Sequence, residues 1–239
     1  MPGVIDASVL VFGGGAARGV TAAPMAGKVR GVTVLDANRE HVARMRDPGL
    51  EFDELGSTQT VRLDVHATAD EIDGSFDLAR VTLKAPALET ALPPLRGRAA
   101  AFVSLGNGLV QERVASLLGE ERVLAGTVEL GATHLGPGRL RQTTRNPYVI
   151  GDLAGGERDR VEDAIDTVIG HAGATEASVL QDIRRGLATE VDVINGAVVA
   201  RAAPRGLEAP LNARIVELIH SCERGEAEPS AAVLEELGR

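Results

Sequence analysis

Several stretches of the chain carry residues whose types and spacing could do chemistry. Gly13-Gly14-Gly15-Ala16-Ala17-Arg18-Gly19 follows an apolar run, and a second apolar run ends in Leu35-Asp36. Gly13 and Gly15 stand where a dinucleotide-binding turn needs its first two glycines, one for the tight bend and one for close approach of backbone to a pyrophosphate. An acidic residue about twenty positions later is placed to bond ribose hydroxyls, which favours NAD. Asn38 and Arg39 could instead receive the extra phosphate of NADP, so both cofactors stay open. The third glycine position holds Arg18, with Gly19 one residue late, and the following helix would contain Pro24. An interior proline costs ~3 kcal/mol unless it falls in a first turn. A glycine-rich turn is also an ordinary strand-to-helix connection.

Lys84 follows a strand-like segment, where an ammonium can meet a phosphate or carboxylate, or simply be solvated. Only Lys28 and Lys84 are lysines in a chain rich in arginine. Asn107-Gly108 reads as a tight turn at the end of another strand, at the edge of a sheet where ligands bind. His134 and His171 are candidate proton donors, because an imidazole titrates near neutral pH. No His/Asp/Glu cluster suggests a metal.

These residues need a scaffold, and the first two thirds supply one by alternating β-branched runs with segments of helical period. Strands are expected at Ser8 to Phe12, Gly31 to Leu35, Leu78 to Leu83, Ala100 to Leu105, Val123 to Val128 and Pro147 to Gly151. Asn38 is a candidate N-cap for a helix with Val42 and Met45 on one face. Val110, Val114, Leu117 and Leu118 form another apolar stripe that Gly119 can end in a left-handed cap. After Gly155-Gly156 the pattern turns helical: Val161 to Ile169, then Val191, Ile194 and Val198, then Leu211 to Cys222. The fold class is therefore α/β, a Rossmann-type doubly wound domain over residues 1–155 followed by a shortened all-helical domain over 156–239. Arg80 stands out inside a strand that should be buried on both faces; it could lie near an exposed start or pair with Asp77 or a nearby glutamate.

Composition bounds the function classes. The 239 residues are 44% hydrophobic and 25% charged, enough for a real core. A formal net charge of −9 argues against nucleic acid or an anionic membrane as partner. Without tryptophan and with 2% aromatics, base-stacking platforms are excluded as well. No run approaches the ~20 apolar residues of a membrane span, and the start carries no basic leader, so a cytoplasmic protein is expected. The lone cysteine, Cys222, excludes an internal disulfide and reads as core.

Several motifs in order along the chain resemble the ketopantoate reductase (2-dehydropantoate 2-reductase) family. They are Asp77-Leu78-Ala79-Arg80-Val81-Thr82-Leu83-Lys84, Ser104-Leu105-Gly106-Asn107-Gly108-Leu109, Val123-Leu124-Ala125-Gly126 and Gly136-Pro137-Gly138. In the tail they are Ser178-Val179-Leu180-Gln181-Asp182, the run from Thr189 to Val198, and Ala209-Pro210-Leu211-Asn212. The resemblance implies an N-terminal Rossmann domain, a helical C-terminal domain and reduction of a 2-keto acid with NADPH. It implies that Lys84 and Asn107 face cofactor and substrate, that Ser178 holds substrate and that Glu190 supports the active site. Read without it, Ser178 is a helix cap with Gln181 completing a capping box, and Glu190 is a solvated helix residue.

The chain departs from the family at one place. The family bears a proton-donating lysine on a helix ahead of the Ser-x-Leu-Gln-Asp motif, whereas here His171 to Ala177 runs straight into Ser178. Loss of a general acid costs on the order of 10²–10⁴-fold in rate, and Lys84 is the lysine left to take over. The first reading is an NAD(P)H-dependent reductase of a small 2-keto acid or related carbonyl. The alternatives are non-redox chemistry (cyclisation, isomerisation or elimination) on a carboxylated or carbonyl substrate, and a non-catalytic binding protein. A shortened helical domain leaves apolar faces uncovered, so a homodimer is expected.

Overall fold

The computed structural model describes residues 4–13, 16–128, 131–144, 148–152 and 177–230. Among them the chain divides into two compact units, one drawn from Met1–Leu83, Ala87–Gly106 and Gln111–Gly173, the other from Lys84–Pro86, Asn107–Val110 and Ala174–Arg239. The expected boundary at Gly155-Gly156 and the expected helix over Val161 to Ile169 lie outside the described residues.

The first unit is built on a seven-stranded sheet whose members are β1 (Ile5–Phe12), β2 (Val29–Leu35), β5 (Asp64–His66), β6 (Phe76–Val81), β7 (Ala99–Ser104), β8 (Val123–Val128) and β11 (Tyr148–Asp152). All six expected strands form. Their order is β11-β8-β7-β6-β1-β2-β5, parallel except for β11, which pairs antiparallel with β8. Strand order reverses at β1, which has β2 on one side and β6 on the other. This is the switch point of a doubly wound sheet, where ligands bind beyond the carboxyl ends of the strands. Val9, Leu10, Val11, Val32 and Val34 are all buried, so these central strands are buried on both faces and need continuous apolar runs.

A second sheet was not foreseen from the sequence: β3 (Leu50–Glu54), β4 (Ser57–Val61), β9 (Ala132–Gly136) and β10 (Arg139–Gln142), in the order β4-β3-β10-β9. The β3–β4 hairpin turns through Leu55 and Gly56, at φ 52° and 93°, the pair of positive values a two-residue hairpin requires. Leu50, Phe52 and Leu140 point from this sheet into the main core with Val42 and Met45. Phe52 is fully buried, and its truncation to alanine would cost about 3–5 kcal/mol. Gly136-Pro137-Gly138 links β9 to β10. A Cβ at Gly138 would lie 2.6 Å from that of Arg44, and its N–H donates to Nδ1 of the buried His41 over 2.8 Å.

Helix α1 (Ala16–Ala22) follows the glycine run and stops before Pro24, which enters a separate 3-10 turn at Ala23–Met25. The expected proline penalty is thereby avoided, because the ring falls in a first turn rather than a helix interior. Helix α2 (Arg39–Arg46) is capped by Asn38, whose side chain accepts from His41 N over 3.0 Å, and it buries Val42 and Met45 as expected. A four-residue turn of helix, α3 (Leu88–Ala91), and α4 (Gln111–Leu118) are the other α-helices among the described residues of the first unit. Gly119 ends α4 at φ 109°, ψ 119°; the sign of φ is as expected, but the ψ value lies outside the left-handed helical region.

Arg80 does not lie at an exposed start of its strand. It is buried, in register between Val11 and Val103, and its guanidinium lies 3.5 Å from the Thr21 carbonyl in the last turn of α1. A cation there meets the carbonyls a helix leaves unpaired at its C-terminus. Asp77 is engaged elsewhere, by Ser8 and Arg30.

The described part of the second unit contains α5 (Ser178–Arg184), α6 (Val191–Ala202) and α7 (Pro210–Glu223), with α6 and α7 packed together. Val191 and Cys222 are buried, as their apolar spacing predicts, while Leu211 at the start of its stripe is 60% exposed.

Candidate active site

Two loops bring chemistry into the second unit. Lys84–Pro86 comes directly after β6 and Asn107–Val110 directly after β7. The second loop is fixed by backbone: Leu109 N–H donates to the Val193 carbonyl over 2.9 Å, and Gly108 turns at φ 74° against that same carbonyl. A Cβ at Gly108 would collide with it, which is why the asparagine is followed by glycine. The approach ties the Asn107 loop to the first turn of α6.

Glu190 is the N-cap of α6 and is buried, not the solvated helix residue that its position alone suggests. Its Oε2 accepts from Asn107 Nδ2 over 2.8 Å and its Oε1 from Ala85 N–H over 3.2 Å. One carboxylate thus joins both loops. Using both oxygens as acceptors matches the hydrogen-bonding inventory of an ionised carboxyl group.

Asp182, buried on α5, takes an ion pair and hydrogen bond from Lys84 Nζ. The lysine keeps 36% of its side chain exposed while the aspartate keeps 6%, so the ammonium reaches out from a buried anchor. Asp182 belongs to a motif quoted above but no local signal marks it as a partner of a lysine 98 positions away. Ser178 is exposed at the first position of α5. The N-cap is Ala177 and makes no side-chain bond, so the capping-box reading of Ser178 fails. Four residues separate Ser178 from Asp182, which puts both on one helix face.

In the first unit, Gly13 is buried at φ 107° directly after β1, its N–H donating to the Leu35 carbonyl over 2.6 Å. Asp36 follows β2, and its Oδ1 accepts the Asn38 N–H over 2.7 Å. Gly15 lies outside the described residues. His134 sits in β9 with its ring tilted against His41, centroids 5.1 Å apart. His171 lies outside the described residues. Lys28 is exposed in the turn before β2. Among the described residues no group of His, Cys, Asp and Glu could hold a metal ion, and no helix is long and apolar enough to cross a membrane.

Comparison with known proteins bears on the family and the fold. Residues 9–155 match the family model described as ketopantoate reductase PanE/ApbA, and residues 140–223 match that of its C-terminal part. A 2-dehydropantoate 2-reductase of Halobacterium salinarum is 28% identical over 218 residues, covering 87% of this chain and 71% of the relative. A ternary structure of D-mandelate dehydrogenase with NADH and anilino(oxo)acetate superposes with a TM-score of 0.75 at 17% identity, over 91% of this chain and 99% of that one. A PanE/ApbA family ketopantoate reductase from Ralstonia eutropha gives 0.72 at 19% identity, over 91% and 99%. At such identities the structural likeness speaks for the fold.

Proposed function

The chain belongs to the ketopantoate reductase family, and on that premise we propose that it reduces a small 2-keto acid or related carbonyl compound with NAD(P)H. The observation that carries the reading is the joining of Lys84, Asn107 and Glu190 within one compact unit, through Asp182 and the Ala85 N–H. Residues 1–155 then serve as the dinucleotide-binding domain and 156–239 as the shortened helical domain.

The described residues fit a dinucleotide. Gly13 turns at a positive φ that bars an L side chain, at the strand where the sheet order reverses, and Asp36 stands at the carboxyl end of the neighbouring strand. Gly15 completes the proposed cofactor set, along with Lys84 and Asn107. A reduced nicotinamide supplies the hydride for the keto carbon.

The chain's own residues supply the rest. The Lys84 ammonium has three N–H donors, of which Asp182 takes one. The others are available to a substrate carboxylate or carbonyl oxygen, and Lys84 is the group assigned to protonate the oxygen as it gains charge. Asp182 keeps that ammonium aimed. Asn107, held by Glu190 through Nδ2, keeps its carboxamide oxygen and remaining N–H for substrate or cofactor. Ser178, on the Asp182 face of α5, adds a hydroxyl for the substrate. The protein is expected to act as a cytoplasmic homodimer; Leu187, Leu207 and Leu211 are 49%, 62% and 60% exposed on the second unit.

The test is a titration with NADH and NADPH followed by nicotinamide fluorescence and melting temperature, then a panel of 2-keto acids. Micromolar binding and turnover of one member support the reading. Binding of neither cofactor at millimolar concentration removes hydride transfer, and leaves acid–base chemistry by Lys84 and Glu190 on a carboxylated or carbonyl substrate, or a binding role.

A further inference from the structure

Glu190 owes its placement to more than the two groups it bonds. The residue before it, Thr189, donates its backbone N–H to Glu223 Oε1 over 2.7 Å, and the residue two after it, Asp192, meets His220 Nε2 at 3.0 Å. Glu223 and His220 share one turn of α7, and they bond each other, Nδ1 to Oε2, at 2.7 Å. The Thr189 hydroxyl also accepts the Val191 N–H, which leaves this entry to α6 fastened at consecutive points. Both ring nitrogens of His220 face carboxylate oxygens, and an imidazole can donate from both only as the cation.

We propose that His220 and Glu223 are positioning residues for the reaction, clamping the segment from Thr189 to Asp192 so that the Glu190 carboxylate stays on Asn107 and Ala85. The proposal rests on the reductase reading for its effect on turnover, but not for the clamp itself. Neither residue touches Lys84, Asp182 or Asn107 through any bond described above. Their effect therefore passes through the backbone on either side of Glu190.

The clamp depends on charge. The bonds from Glu223 first and then Asp192 raise His220 above the ordinary imidazole value. Burial works against the Glu223 charge, and its bonds from His220 and Thr189 outweigh that. Among the described residues, the charged groups facing His220 are Asp192 from α6 and Glu223 from its own helix, with Arg224 acting on Glu223 from the helix end. The cation is held at low pH and lost as pH rises through the raised value, and the neutral ring, with one N–H left, then gives up its bond to either Asp192 or Glu223.

The experiment has one arm that needs no substrate. In the wild-type protein, two-dimensional amide NMR across a pH series should show Ala85 and Glu190 shifting with the same midpoint as the His220 ring, and the step should vanish in His220→Gln. Amides that stay flat through the His220 transition overturn the proposal. In the second arm, Glu223→Ala should lower kcat with a turned-over 2-keto acid on the order of tenfold while KM changes little. Glu223→Gln keeps an oxygen for the Thr189 N–H and should restore most of that loss. A Glu223→Ala protein with wild-type kcat and a lowered Tm would show a role in stability alone and would also overturn it. If no 2-keto acid is turned over, the reductase reading fails, and the NMR arm still decides the clamp.

Discussion

Asn107 and Glu190 lie 83 positions apart in the chain and meet through a 2.8 Å hydrogen bond from Nδ2 to Oε2. With the Ala85 N–H on Oε1, the glutamate satisfies one donor from each of two strand-end loops. A carboxylate can do this because it only accepts; an amide of the same shape cannot.

Glu190→Gln therefore has a defined consequence. With its NH₂ toward Ala85 the new amide sets two donors against each other, and with its NH₂ toward Asn107 that carboxamide must turn over to accept, exchanging the groups it offers on its other side. Turnover of the 2-keto acid should fall on the order of 10²-fold, the scale associated with losing orientation at a reacting centre. Steady-state kinetics decide it, and unchanged activity would remove Glu190 from the site.

Lys84 and Asp182 should be strongly non-additive. Lys84→Met leaves a buried carboxylate without its cation and should cost about 1–3 kcal/mol, part of the pair being open to water. Lys84→Met combined with Asp182→Leu removes both charges and should recover much of that stability, while reduction stays abolished. Urea denaturation of the two single variants and the double completes the cycle. Simple additivity would mean that the pair is not coupled.

Gly108→Ala tests how the Asn107 loop is held. At φ 74° the alanine is strained, and its Cβ would meet the Val193 carbonyl. Gly206, at φ 66° with nothing within 4 Å of a Cβ, isolates the strain from the collision. Gly206→Ala should cost about 1–2 kcal/mol, and Gly108→Ala should cost more and also impair turnover. Equal losses in melting temperature with full activity would contradict the close approach.

How much of this could be read in the sequence depended on the length and purity of each signal. The main sheet was legible because β1 and β2 end in runs buried on both faces and rich in β-branched residues, and β6 and β7 also end buried. The second sheet was not. Leu50-Glu51-Phe52-Asp53-Glu54 and Arg139-Leu140-Arg141-Gln142 each offer one or two inward apolar residues among charges, and the charges pair across strands, as Arg139 does with Glu51 and Arg141 with Asp53. Their turns, Leu55-Gly56 and Gly136-Pro137-Gly138, were the better clue. In the site, Lys84, Asn107 and Glu190 came from the family's motifs, but the burial of Glu190 and the role of Asp182 did not. Those depend on contacts between residues 83 to 105 positions apart, which no local pattern encodes.

Stability should fall at both ends of the pH range, through different residues. The bond from Arg141, aided by the Gly56 N–H, holds Asp53 below the usual carboxylate value, so its contribution is present above that value and is lost as pH falls through the lowered one. His220 runs the other way: its contribution is full below the ordinary imidazole value and is lost as pH rises through the raised one. Melting temperature against pH should therefore lose part of its acid limb in Asp53→Asn and part of its alkaline limb in His220→Gln. A variant whose curve merely drops in parallel with the wild type would refute the assignment for that residue.

Asp36 is the residue expected to set the cofactor preference. Its Oδ1 is spent on the Asn38 N–H, which fixes the carboxylate beside the end of β2. A carboxylate there suits two ribose hydroxyls and repels a phosphate placed on one of them. Arg39, exposed three positions on, is the cation that could offset the repulsion. The Asp36 carboxylate is already held by the Asn38 N–H, whereas the exposed Arg39 guanidinium must be ordered to act, so NADH should bind more tightly than NADPH, about tenfold for each 1.4 kcal/mol of difference. Asp36→Ser should reverse or erase that ratio, and Asp36→Ser with Arg39→Ala should weaken NADPH without affecting NADH. Gly13→Val should abolish binding of both, because φ 107° is closed to a β-branched residue. A wild-type ratio that survives Asp36→Ser would move the ribose site away from β2 altogether.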